Sequence, residues 1–244
     1  MGAERNMLQE KTFPRLRQYC SERGATFQAV DLRWGVSDEA ALDQRTMDIC
    51  LGEIRRCQTL SPRPNFLVLL GQRYGWMPPP PRIRSDIFDA ILATLEEKER
   101  EFLRRWYRKD ENALPAEHVL LEREGEFVEY ANWNPVERRL QTLLSQGAEE
   151  SCPDDTSLLA FRASATHQEI AAGALDVETP EEKVLCIFRR IAGIPEDCGP
   201  EEKRAVAVYI DDDSTAQEVE KLKNELRNRL PEENVIEVGT EWSS

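Results

Sequence analysis

The stretch Asn65-Phe66-Leu67-Val68-Leu69-Leu70 is apolar without interruption after its first residue and ends on Gly71. A strand with one wet face alternates polar and apolar residues. An unbroken apolar run of this length reads instead as a strand buried on both faces, which is the habit of parallel sheets. Parallel neighbours need crossover connections, usually helices. The flanking sequence supplies them. Residues 46–58 place Met47, Cys50, Leu51, Ile54 and Cys57 on one helical face. Upstream, Thr26 to Leu32 alternates and predicts another strand. Residues 3–23 predict a helix with Leu8, Leu16, Tyr19 and Cys20 at helical spacing, Gly24 as its C-cap and a kink or a split at Pro14. Helix, strand, helix, strand in this rhythm predicts an α/β parallel sheet.

Four consecutive prolines, Pro78 to Pro81, break the rhythm. A long charged helix is then predicted from Ser85 to about Lys109. Residues 122–162 are polar and weakly periodic, with helices expected near 134–146 and 157–172 and a flexible loop from Gly147 to Asp155. The rhythm returns with a strand at Val184 to Phe188. Val206 to Ile210 reads as a short strand or a helix-leading segment. Ala216 to Leu230 forms an amphipathic helix, and Asn234 to Val238 a last strand. The expected organisation is therefore a first part of the α/β domain at 1–77, a largely helical insertion at 78–162 and a second part at 163–244. A long insertion of this kind is usually functional or regulatory. A chain that starts on a helix also lacks the first strand, which is central in the flavodoxin-like order 2-1-3-4-5. Its absence predicts a fragment, or a start at a downstream Met, with two interior strand edges left bare.

Charge narrows the partners. The formal net charge is -14. Residues 1–150 carry 22 Lys/Arg against 25 Asp/Glu, and residues 151–244 carry 10 against 21. Phosphate backbones need a basic face, so nucleic acid is not expected as a partner. No apolar run approaches the ~18 residues of a spanning helix, and no signal peptide opens the chain, so no membrane partner is expected and the cytoplasm is the expected compartment. The six cysteines show no metal-like spacing and are expected as reduced thiols. His118 and His167 are the only histidines and lack ligand-spaced partners, so neither a metal nor a cofactor is expected. There is no phosphate-binding glycine loop and no nucleophile elbow.

What remains is a pair of strand tips. Asp31-Leu32-Arg33-Trp34-Gly35-Val36 and Gly71-Gln72-Arg73-Tyr74-Gly75-Trp76 each follow a strand-like run. Ligands and partners of open α/β sheets meet the protein at the carboxyl ends of strands. Asp31, Arg33, Trp34, Gly71, Arg73, Tyr74 and Trp76 therefore form a candidate interaction edge. Asp31 is a plausible ligand group, or a cap or ion-pair partner of Arg33 or Arg73. Trp34 and Trp76 either close the sheet end as buried anchors or serve an interface as exposed aromatics. Glu169, early in a helix after the insertion, either orients a ligand or simply faces solvent.

Several segments together resemble a known family. They are Gly2-Ala-Glu-Arg-Asn-Met-Leu8, Phe13-Pro-Arg-Leu16, Val30 to Val36, Cys50-Leu-Gly-Glu-Ile54 and Leu69 to Trp76, joined by Arg105 to Pro115 and Phe188-Arg-Arg-Ile191. This set resembles the N-terminal domain of NACHT- and WD-repeat-containing proteins, with a related domain in the telomerase-associated vault protein. The resemblance implies a flavodoxin/TIR-like sheet that normally opens with a strand just before the Ala-Glu-Arg motif. It implies a place before a NACHT nucleotide-binding module and WD-repeat propellers, in STAND-type signalling proteins that oligomerise. ATP binding does not transfer, because this chain has no ATPase motif. The leading expectation is a non-catalytic interaction domain that contacts protein partners or copies of itself. Some TIR-type domains hydrolyse NAD with a Glu on a corresponding helix, which makes Glu169 the catalytic residue of the alternative. A third expectation is a structural cap that holds the NACHT module inactive.

Overall fold

The computed structural model describes residues 1–31, 42, 44–151, 155–194, 199–211 and 213–242. The chain divides into two units. One comprises residues 1–35, 53–74 and 172–244, the other residues 36–52 and 75–171. The strands in chain order are β1 (Phe66–Leu70), β2 (Arg82–Arg84), β3 (Tyr107–Asp110), β4 (Glu117–Leu120), β5 (Val184–Ala192) and β6 (Val235–Glu241).

The first unit holds a parallel sheet of order β1-β5-β6. Phe66 pairs with Val184 and Leu70 with Phe188, while Cys186 pairs with Val235. Val68, Leu70, Val184, Cys186 and Phe188 are buried on one face. The Asp213–Arg229 helix covers that face. Its Val219, Leu222 and Leu226 are buried, and the Arg227 guanidinium lies 5.2 Å over the Phe188 ring. Each such aliphatic side chain contributes ~1.5–3 kcal/mol of transfer free energy. Asn234, buried at the entry to β6, donates to the carbonyls of Glu181 and Val184 and so sets the start of β6 against β5. The opposite face departs from expectation. Leu67, Leu185, Ile236 and Val238 on that side are exposed, so the apolar run of β1 is not buried on both faces. Unbroken hydrophobicity in the strand marks a face able to be covered, and among the described residues this one is only partly covered.

Two further expectations change in this unit. Residues 25–31 join no ladder, although Phe27, Ala29 and Asp31 are half-buried and Gln28 and Val30 exposed. The alternation reports half-burial, achieved here against the N-terminal helix, where Phe13 and Phe27 rings lie 5.6 Å apart. That N-terminal helix runs from Gly2 to Ser21 with a π-helical stretch at Leu8–Thr12. The wider turn falls just before Pro14, which cannot donate to a regular helical ladder. Val206 to Ile210 is not a strand. The Pro200–Val206 helix runs into a turn, and Ile210 makes a single parallel bridge with Gln72.

The second unit carries a small antiparallel sheet of order β2-β4-β3 and a well-filled core. The long helix expected at 85–109 is two helices, Ser85–Thr94 and Glu97–Trp106. Glu96 restarts the chain with a capping box. Its side chain accepts from the backbone of Glu99, and the Glu99 carboxylate accepts from its backbone N–H. Trp106 meets Trp133 edge-on at 5.2 Å and Phe127 at 4.9 Å, and the Tyr107 hydroxyl donates to the Pro80 carbonyl at 2.6 Å.

The loop expected at 147–155 is helical through Ser151, and residues 152–154 lie outside the described residues. Gly147 is a packing glycine. A Cβ there would fall 2.7 Å from Cγ2 of the fully buried Ile91 and 3.1 Å from Oγ1 of Thr94. Only glycine lets the Tyr130–Ser151 and Ser85–Thr94 helices approach so closely. Gly147→Val is expected to destabilise this unit by about 1–3 kcal/mol, read as a lower urea midpoint at unchanged slope.

His118 on β4 stacks on Phe88 at 4.2 Å, and its Nδ1 lies 3.3 Å from the Ser85 hydroxyl. Burial holds its pKa below the ordinary histidine value; Lys109 adds to the depression and Asp89 opposes it. The unfolded chain therefore binds the proton more readily. Stability is fully present above the unfolded value of ~6.5 and falls as the pH drops toward the lower folded value. A His118→Phe variant is expected to flatten that slope of melting temperature against pH between ~6.5 and the folded value.

Candidate functional site

Where β1 and β5 end, the first unit collects its polar side chains. Gly71 follows β1, and a Cβ there would meet Met1 and the Arg189 guanidinium at 3.8 Å. Gln72 next uses its Oε1 to accept the Ile191 backbone N–H at 2.6 Å, tying the tip of β1 to β5. Arg73 donates through Nε to Asp211 at 3.1 Å, and the Tyr74 backbone N–H donates to the same carboxylate at 2.6 Å. Tyr74 is buried.

The N-terminal helix closes this edge with two adjacent opposite charges. Arg5 donates to Asp31 at 2.8 Å, and Glu4 accepts from Arg189 at 3.0 Å. Arg189 is 8% exposed, and its Nε is buried without a hydrogen-bond partner. Arg190, Lys223 and Arg227 line a cleft with it at the carboxyl ends of β5 and β6. Val208 and Tyr209 stand beside this edge, 58% and 40% exposed. The Arg73 Nη1 donates to the Val208 carbonyl, and Tyr209 contacts Trp242 edge-on.

Of the candidate residues, Asp31, Gly71, Arg73 and Tyr74 belong to this unit. Arg33 and Trp34 lie outside the described residues. Trp76 and Glu169 belong to the other unit. Trp76 is exposed, not a buried anchor, and its carbonyl accepts from Ala165 at the start of the helix that bears Glu169. Glu169 is half-buried and hydrogen-bonded to the Cys50 thiol. Burial pushes the Cys50 pKa up to about 12, with the neighbouring carboxylate adding to it. That thiol stays protonated at neutral pH and is a poor nucleophile. Among the described residues no group of three His, Cys, Asp or Glu side chains could hold a metal ion. No helix among them is long and apolar enough to cross a membrane.

Glu4, Gln72, Arg189 and Arg190 lie within the quoted motifs but were not among the candidate site residues, and Asp211 and Lys223 lie in no motif. Two arginines inside an apolar strand, in Phe188-Arg-Arg-Ile191, were the available signal for Arg189 and Arg190. An arginine at a buried strand position needs a paired carboxylate, and Glu4 provides it.

The helix that bears Glu4 and Arg5, and the strand tip from Gly71 to Trp76, fall together within one recognised domain: residues 1–111 match the domain of unknown function DUF4062. The match covers 111 of the 244 residues. The same chain is 37% identical over 153 residues to mouse NACHT domain- and WD repeat-containing protein 1, covering 62% of this chain and 10% of that protein. Identity to mouse NACHT and WD repeat domain-containing protein 2 is 28% over 215 residues, or 79% of this chain and 12% of the relative. Mouse telomerase protein component 1 matches at 34% over 79 residues, 32% of this chain and 3% of its own length. The chain thus spans 3–12% of the length of these relatives. No solved structure matches it. The DUF4062 match includes Glu4, Arg5 and Asp31 and ends before β5, so the Arg189 side of the edge lies beyond it.

Proposed function

We propose that this chain is a protein-interaction domain of a NACHT/WD-repeat regulator of the STAND signalling type, working without catalysis through the carboxyl edge of its parallel sheet. The partners are the NACHT and WD-repeat modules of the longer protein, or further copies of the chain. One observation carries the reading. Val208 and Tyr209 are exposed beside Arg73, which is itself engaged with Asp211 and the Val208 carbonyl. An exposed tyrosine and aliphatic next to an arginine make the composition of an interface anchor rather than of a reaction centre.

The strand order supports a flavodoxin/TIR-like sheet as part of this proposal. Parallel β1-β5-β6 corresponds to strands three, four and five of the order 2-1-3-4-5, with the first strand's place at the outer edge of β1. On this reading the domain parts are 1–77 and 163–244, with 78–162 inserted between them.

The NAD-hydrolysing alternative asks Glu169 to face a ligand, and its hydrogen bond to the buried Cys50 thiol argues against that role. Nicotinamide release from NAD by the full chain, abolished by Glu169→Gln, would overturn the non-catalytic reading. For the cap alternative, the chain mixed with its NACHT module should suppress ATP turnover by that module. Complex formation without suppression is the outcome expected of an interaction domain.

A further inference from the structure

Beside the proposed interface, and independent of it, lies a cleft of about 580 Å³ at the carboxyl ends of β5 and β6, roofed by the Asp213–Arg229 helix. Its charge is the reverse of the chain's. The protein as a whole has 46 acidic against 32 basic residues, yet the cleft is lined by Arg189, Arg190, Lys223 and Arg227 against Glu220 and Glu237.

The cations are not neutralised in the usual way. Lys223 is 3% exposed and donates to Glu220, which itself stands out in solvent at its outer side. A buried ammonium with a largely hydrated partner keeps much of its desolvation cost. Lysine has three donors, and one is accounted for by Glu220. Arg189, which alternates with Phe188 and Arg190 along β5, turns its guanidinium to the other face of the sheet, where it donates to Glu4 and lies 5.6 Å over the Tyr209 ring. Arg190 has no ion-pair partner among the described residues, and Arg227 is paired with Glu237 and bonded to Asn224. Phe188 and Val219 supply apolar wall between these groups. The volume falls within the range of small-molecule sites, and the apolar lining with a few convergent polar groups is their usual make-up.

We propose that this cleft binds a small phosphate-bearing molecule of nucleotide size, its phosphate held between Arg190 and Lys223. Phosphate fits better than a carboxylate because several separated donors converge from two elements, and a phosphate offers acceptors on all sides. The carboxyl end of a parallel sheet is also where open α/β folds place ligands. Glu220 and Glu237 at the rim bias the site against large polyanions.

Isothermal titration of the full chain in phosphate-free buffer at low ionic strength tests this, with pyrophosphate and ADP as separate probes. Saturable binding of at least one probe is expected. It should weaken at least tenfold in Arg190→Gln and again in Lys223→Met, which keeps the aliphatic packing of the buried stem. Arg190 is exposed, so its variant should melt at the parent temperature. Arg108→Gln, a surface cation in the other unit, should change nothing. Binding of neither probe, or binding indifferent to both cleft substitutions, overturns the proposal. Neither result touches Val208 or Tyr209, so it fails or stands apart from the interface reading.

Discussion

Trp133→Ala is expected to lower the stability of the second unit by about 3–5 kcal/mol, the usual cost of emptying a buried indole site. Trp133 is among the largest fully buried side chains and meets Trp106 edge-on. It also donates from Nε1 to the buried Glu137 at 3.1 Å, the carboxylate that Tyr130 reaches at 3.3 Å. Alanine therefore opens a cavity and strips a buried carboxylate of a donor at once. Trp133→Phe separates the two effects. It retains most of the ring volume, and its cost should be about 1–3 kcal/mol, the range for leaving a buried polar group short of a partner. Hydrogen exchange across residues 85–151 is the measurement. Alanine should strip protection from both the Ser85–Thr94 and the Tyr130–Ser151 helices. Retained protection in both would mean that the aromatic cluster does not hold this unit together.

Glu4→Ala is expected to cost about 1–3 kcal/mol in the first unit, because it leaves the largely buried Arg189 guanidinium short of its carboxylate acceptor. Arg189 is 8% exposed, with its Nε already lacking a partner. The double variant Glu4→Ala with Arg189→Met should recover much of the loss, since removing both charges removes the desolvation cost as well. A double-mutant cycle by urea unfolding reads this coupling. Additive single effects would show that Glu4 and Arg189 do not act as a pair. The experiment also gives the Ala-Glu-Arg segment a physical meaning. Glu4 and Arg5 hold the carboxyl edge of the sheet by pairing with Arg189 and Asp31.

The parallel sheet was legible because β1 and the first halves of β5 and β6 are short, largely apolar runs with clear ends. Which face of them is covered was not. Hydrophobicity does not distinguish Leu67 and Leu185, which are exposed, from Val68 and Cys186, which are buried. The second unit was the least legible part. Residues 122–162 read as polar and weakly periodic, yet Trp133, Leu140, Leu143, Leu144 and Ala148 fill the largest core. Their stripe is thin, diluted by charged residues on the outer face and carried past Gly147, which looks like a helix end and is a crossing point. The break at Leu95 is set by reciprocal bonds between Glu96 and Glu99, which a charge-rich run conceals. The edge was found from Gly71, Arg73 and Tyr74, but its other half comes from far along the chain. Asp211 and Arg189 reach it only through the fold.

The most direct test of the interaction reading is the mass of the full chain by light scattering, over rising concentration and with the NACHT module added. The parent should form a larger species with itself or with the module, and Val208→Asp combined with Tyr209→Ser should weaken it at least tenfold while its thermal midpoint holds. A parent chain that stays monomeric at every concentration and ignores the NACHT module would contradict the account, as would an assembly that the double substitution leaves intact.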